Sequence, residues 1–229
     1  MLILAVDTSG KQGSIALARA EGANFEVVES VPVAGGTFSA QLVPAIAALL
    51  PRHGVSREKL DAFAAASGPG SFTGLRIGLA AVKALGETLR KPIATVSVLE
   101  ACAHVQHDRT KEPRILVALD ASRGDVFLGR FILNAAGTRL DCLEESLAGR
   151  EEFVQYLREN AQPSLCSPDE NVIDFLAGHG VAVTRIPRPG SIEVAELGAQ
   201  KIAAGETVTP EALDANYIRR AEFTKVGAP

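Results

Sequence analysis

The chain has no tryptophan, four histidines and three cysteines in 229 residues. Cys102, Cys142 and Cys166 are odd in number, far apart and without a CxxC, so neither a disulfide framework nor a zinc site is expected. None has the histidine and asparagine company of a thiol nucleophile. The four histidines make no HxxxH, the one-turn pair that holds a divalent metal on a helix. His104 and His107 stand three apart with only Asp108 as a neighbouring carboxylate, the pattern of a solvated helix end. No stretch approaches the ~20 apolar residues of a membrane span. The opening MLILAVDTSG has no basic n-region and its apolar run stops at Asp7, so no signal peptide is expected either. A reducing cytoplasm is the expected location. A net charge of −4 argues against a chain that binds nucleic acid by itself, and the densest basic spot is Arg219-Arg220.

What is present is an ordinary globular balance, with 47% hydrophobic and 22% charged residues, enough for two lobes of roughly 100 residues each. Residues 2–6, 14–19 and 25–31 read as short strands punctuated by Gly10, Gly13 and Gly22. Helical spacing follows at 39–50, with Leu42, Ile46 and Leu49 on one face, Ser39 as a cap and Pro44 near the first turn. A buried strand at 61–66, a helix at 73–90, a strand at 92–96 and a helix at 97–107 complete the half. At Arg114 the pattern restarts. LILAVDTSGKQGSIAL aligns with RILVALDASRGDVFL, placing Asp7-Thr8-Ser9 against Asp120-Ala121-Ser122. Strands at 138–145, 164–166 and 181–186 alternate with helices at 149–159, 171–178 and 191–204. The repeat predicts an α/β fold of two duplicated βββαβα-type lobes with mixed sheets, as in actin, Hsp70 and the sugar kinases. The lobes are expected at 1–98, completed by the helix at 191–206, and at 114–190, with a polar connection between them and a C-terminal tail at 207–229.

In phosphotransferases of that architecture the acidic residue ending each lobe's first strand holds a hydrated metal, and the following turn faces phosphate. Asp7, Thr8, Ser9 and Asp120 are the candidates here, against the simpler reading that each Asp caps its own turn. Arg123 and Asp125 stand close enough in sequence to pair locally with Asp120. The segment Ser67–Gly78, SGPGSFTGLRIG, follows a strand and opens a helix as phosphate loops do, yet it is neither GxxxxGK[ST] nor GxGxxG. A sharp crossover with close backbone approach fits it better. Gly74, Gly78 and Gly86 sit inside the helix at about 1 kcal/mol each, which another backbone lying close would explain. Leu75, Leu79, Val82 and Leu89 form one apolar stripe, and Ile77, Ala81, Ala84 and Thr88 a second face. Such a helix is either sandwiched in a core or docks on a partner.

SGPGSFTGLRIGLAAVKAL, with MLILAVDTSGKQGSIALA before it, LVALDASRGDVFLGRF after it and NYIRR near the end, resembles the bacterial TsaB (YeaZ) family along nearly the whole chain. The resemblance implies a non-catalytic scaffold subunit of the machinery that makes threonylcarbamoyladenosine in tRNA. It implies a dimer with the catalytic paralogue TsaD, recruitment of the ATPase TsaE, contact with tRNA only through the complex, and a homodimer when alone. ATP and metal would belong to the partner subunits, with no cofactor and no metal bound strongly by this chain. The residues expected at the partner interface are Leu42, Ile46, Leu49, Gly74, Leu75, Gly78, Leu79 and Val82. Two departures stand out. The histidine often found before the first helix is replaced by Thr37-Phe38-Ser39, and the adenine-side glycines of nucleotide-binding relatives are replaced by Leu165-Cys166-Ser167-Pro168-Asp169. A glycoprotease-like metalloenzyme lacks its HxxxH, and a small-molecule kinase lacks an identifiable base and adenine turn.

Overall fold

The computed structural model describes residues 1–22, 24–160 and 164–218. The chain divides into two compact units, the first built from Met1–Ala101 and Pro189–Asn216, the second chiefly from Cys102–Arg188.

The first unit opens with the strands β1 (Leu2–Asp7), β2 (Gly13–Glu21) and β3 (Asn24–Val33). Then come helix α1 (Phe38–Arg52), β4 (Ala62–Gly68), α2 (Phe72–Leu89), β5 (Ile93–Ser97) and α3 (Val98–Thr110). The sheet order is β3-β2-β1-β4-β5, antiparallel among β1, β2 and β3 and parallel from β1 through β4 to β5. The alternating residues of β1 decide what covers each face. Leu4 and Val6 enter a core with Leu42, Ile46 and Leu49 of α1 and Leu79 and Val82 of α2. The opposite face, with Ile3 and Ala64, receives α6 (Ser191–Ala203), whose Gly198 lies so close that a methyl there would fall 2.4 Å from the Ala64 Cβ. This explains why β4 reads AFAAASG and is buried throughout.

The second unit contains β6 (Arg114–Asp120), β7 (Asp125–Leu133), β8 (Leu140–Gly149), α4 (Arg150–Glu159), β9 (Ser164–Ser167), α5 (Glu170–Gly178) and β10 (Thr184–Arg185). Its sheet runs β10-β9-β6-β7-β8, which is the first unit's order with each strand replaced by its counterpart. The pairing senses repeat too: β6, β7 and β8 are antiparallel neighbours, and β6, β9 and β10 are parallel. β1 ends on Asp7 and β6 on Asp120, so the aligned turns occupy equivalent places.

Four details depart from the sequence reading. Thr37, not Ser39, is the N-cap residue of α1, and its hydroxyl donates to the Ala34 carbonyl rather than to the helix. Pro44 lies beyond the first turn, inside the helix, with its ring side exposed. The helix expected at 97–107 runs on to Thr110 as α3, and the division between units falls inside it, within the 98–113 where the boundary was expected. The tail expected from 207 begins later. Val208 bridges to Ile93, Leu213 is buried in the first unit's core, and the Asn216 N–H donates to the Ser67 carbonyl at 2.8 Å. Arg219-Arg220 and the rest of that tail lie outside the described residues.

Candidate functional site

At the end of β1, Asp7, Thr8 and Ser9 are all buried. Asp7 Oδ1 accepts the Ser9 N–H at 2.8 Å, an Asx turn closed within the strand end. The Thr8 hydroxyl donates to the Gly74 carbonyl at 2.7 Å, and the Ser71 N–H donates to the Ser9 carbonyl at 2.7 Å. Ser71 then caps α2, its Oγ accepting the Gly74 N–H at 3.2 Å. The start of α2 is therefore pressed directly onto the turn, and the glycines make that approach feasible. A methyl on Gly70 would sit 2.3 Å from the Ser9 carbonyl oxygen, on Gly74 2.1 Å from that of Thr8, and on Gly78 2.3 Å from Thr8 Oγ1. The backbone that the glycine-thinned helix accommodates is the chain's own.

This geometry corrects the expected partner face. Leu42, Ile46, Leu49, Gly74, Leu75, Gly78, Leu79 and Val82 are all buried, the glycines against the turn and the apolar side chains within the first unit. The surface of the two helices is the other face. On α1, Ala40, Val43, Pro44 and Ala47 are exposed, Val43 at 61%. On α2, Ala80, Ala84 and Thr88 are exposed, while Ile77 and Ala81 are half-buried. Near its start Phe72 is 57% exposed, with the Arg76 guanidinium 3.5 Å from its ring centroid. Beside this face, a cavity of about 260 Å³ opens between the β1–β2 turn and the starts of both helices, lined by Gly10, Lys11, Phe38, Ser39, Ser71 and Thr73. Two positive helix ends and a lysine suit an anionic group there, with the hydroxyls as hydrogen-bond partners.

In the second unit the same turn is held by charge. Asp120 Oδ1 accepts the Ser122 N–H at 3.1 Å and the Arg150 guanidinium at 2.7 Å. The guanidinium at Asp120 is thus supplied by α4, not by Arg123. Partial burial pushes the Asp120 carboxyl upward, but hydrogen bonds from Asn171, the Ser122 N–H and Arg150, with the Arg150 charge, hold it below the usual carboxylate range. The Asp120 N–H donates to Asp169 Oδ2 at 2.9 Å, and Asp169 pairs with Arg188. Sequence reasoning missed Arg150, Asp169 and Arg188, and the only signal available was their occurrence at the heads of predicted helices or in a polar loop.

Elsewhere, His104 pairs with Asp108 at 3.4 Å and the His107 ring meets the Glu112 carbonyl at 2.9 Å. Burial pushes the Cys166 thiol up to about 12, the opposite of an activated nucleophile. Among the described residues no three His, Cys, Asp or Glu gather as metal ligands, and no helix is long and apolar enough to cross a membrane.

Comparison with known proteins places this architecture first by class. The family model of TsaD, the tRNA N6-adenosine threonylcarbamoyltransferase, matches residues 32–209. The tRNA threonylcarbamoyladenosine biosynthesis protein TsaB of Bacillus subtilis is 31% identical, over 97% of this chain and 96% of its own. The TsaB of Haemophilus influenzae is 25% identical over 96% and 94%. A crystal structure from Pseudomonas aeruginosa, described as similar to peptidase YeaZ, superposes with a TM-score of 0.75 at 25% identity, covering 95% of this chain and 99% of its own. The chain belongs to the TsaB (YeaZ) family, and its two five-stranded units are the mixed-sheet lobes of the actin, Hsp70 and sugar-kinase fold.

Proposed function

We propose that this chain is a non-catalytic subunit in the biosynthesis of threonylcarbamoyladenosine in tRNA, pairing with a TsaD paralogue and supporting recruitment of the ATPase TsaE in the cytoplasm. The observation that carries the reading is the near full-length similarity to TsaB of Bacillus subtilis. The donors that a phosphate would need at the first strand-end turn are engaged internally, by Asp7 and Gly74, which supports a binding rather than a transfer role. ATP and metal are assigned to the partners, and contact with tRNA to the assembled complex. The docking face is the outer side of α1 and α2, around Val43, Ala47, Ala80 and Ala84, whose small side chains let another helix pair approach closely. The same face serves a homodimer when the partner is absent.

The test is reconstitution with the TsaD paralogue and TsaE of the same organism, supplied with ATP, tRNA and an activated threonylcarbamoyl donor, reading co-elution and threonylcarbamoyl transfer to tRNA. The chain alone should transfer nothing, and the mixture should be active. The double variant Val43→Arg, Ala80→Arg should melt like the wild type yet lose co-elution and activity. Turnover by the chain alone, or an intact complex with the double variant, would sink the reading.

A further inference from the structure

Thr8 directly follows β1 and is 2% exposed, so a docking partner cannot touch it. Its hydroxyl lies against the underside of α2, beside two glycines one turn apart. It donates to the Gly74 carbonyl at 2.7 Å, and a methyl on Gly78 would fall 2.3 Å from the same hydroxyl oxygen. The Gly74 carbonyl, inside α2, already serves the helix ladder, so removing the hydroxyl leaves no buried acceptor unpaired. What the hydroxyl adds is direction. Burial of Leu75, Leu79 and Val82 holds α2 on the sheet, but apolar burial does not fix where along the sheet a helix sits. Gly74 and Gly78 have no side chains to interlock with β1. A hydrogen bond, by contrast, sets a distance and an angle. The Ser71 N–H to Ser9 carbonyl bond pins the loop ahead of the helix, and the Thr8 hydroxyl pins the helix itself.

The opposite side of α2 exposes Ala80 and Ala84, which have no rotamers with which to take up a misplaced backbone. A surface of that kind fits a second helix pair only when its own helix is held at the right height. We propose that Thr8 is a positioning residue for the docking face: its hydroxyl sets the height and rotation of α2 over β1, and through them the surface offered to a partner. The proposal rests on the docking reading above and deepens it, by assigning the fit of an exposed face to a buried hydroxyl on the far side of the helix.

The experiment has two arms, both on the full chain. In the first, residual dipolar couplings give the directions of the N–H bonds of residues 77–84 relative to those of β1 and β2. Thr8→Ser keeps the donor and should leave them as in the wild type. Thr8→Val should turn them, because a methyl in place of the hydroxyl cannot come within 2.7 Å of the Gly74 oxygen. In the second arm, calorimetry gives the affinity for the TsaD paralogue of the same organism, at a temperature at which every variant is folded. Thr8→Ser should bind like the wild type, and Thr8→Val at least about tenfold more weakly. Val172→Ala, a truncation in the second unit's core, should lose stability but no affinity, which separates position from stability. Unchanged couplings in a folded Thr8→Val chain would overturn the proposal, as would wild-type affinity in that variant. If Thr8→Val does not fold, Thr8→Ala takes its place under the same outcomes. A wild type that does not bind the paralogue counts against the docking reading instead, and the couplings still decide whether Thr8 places α2.

Discussion

The two units share one sheet order and one strand-end Asx turn, but they hold that turn by unrelated means. In the first, Asp7-Thr8-Ser9 is packed under α2 by backbone contact, with Gly70 and Gly74 giving the room. In the second, Asp120-Ala121-Ser122 is half open, and Arg150 and the Asp169 side chain reach it from α4 and the head of α5. A duplicated topology therefore fixes where the turn lies without fixing which force holds it. Close packing leaves no volume to spare, whereas ion pairs leave space but respond to pH and salt.

The contrast is broken most directly by adding one methyl group on the packed side. At Gly74 it would sit 2.1 Å from the Thr8 carbonyl oxygen, a backbone atom held by β1. Alanine's better helix propensity returns only about 1 kcal/mol, while overpacking against backbone costs about 3 kcal/mol or more. We expect Gly74→Ala to lose at least about 2 kcal/mol in urea unfolding by that difference. Gly78→Ala should lose less, because it meets the Thr8 hydroxyl, which can rotate once it gives up the Gly74 carbonyl. A neutral Gly74→Ala would mean that the turn is not held by packing.

The elements and the duplication were legible because they rest on local signals. Strand alternation, glycine punctuation and the D-x-S ending survive in one short window each, and β1 and β6 do end on the two aspartates. The direction of α2 was not legible. Both of its faces carry apolar residues, and periodicity states that a face exists without stating which side meets the sheet. Leu75, Leu79 and Val82 went inward because they are larger and fill the space over β1 and β4, leaving Ala80 and Ala84 outside. Of the three helix glycines only Gly74 meets a close backbone, that of Thr8 from the same chain, whereas Gly78 meets the Thr8 hydroxyl and Gly86 the Ile93 side chain. Arg150 and Asp169 were illegible for a related reason. Their link to Asp120 depends on how α4 and α5 follow the sheet, which no local pattern records.

The charged turn is tested by Asp120→Asn. The folded carboxyl titrates lower than the unfolded one, so its stabilising contribution is complete above the unfolded value of about 3.9 and is lost as pH falls through the lower folded value. Asparagine removes that contribution and leaves Arg150 without its anion. We expect a loss of about 1–2 kcal/mol at neutral pH, smaller in high salt, and a flatter decline of stability below about pH 4 than in the wild type. Urea midpoints measured across that range decide it. A variant whose acid limb overlays the wild type would mean that Asp120 carries no differential charge energy.

The smallest effect separates conformation from space. Gly124 follows Ser122 and Arg123 in a left-handed run, with φ of +86°, and a methyl there would meet nothing within 4 Å. Gly124→Ala should therefore cost only the backbone preference, about 1 kcal/mol. Asparagine, which tolerates the left-handed region better, should cost about half as much despite its greater bulk. That ordering, with the larger residue the milder change, is what an open turn predicts and a packed one forbids. At Gly74 the order must reverse, because every added atom deepens the conflict with Thr8. Four midpoints, for alanine and asparagine at each glycine, would show whether one fold seats its two turns by volume in one unit and by backbone conformation and charge in the other.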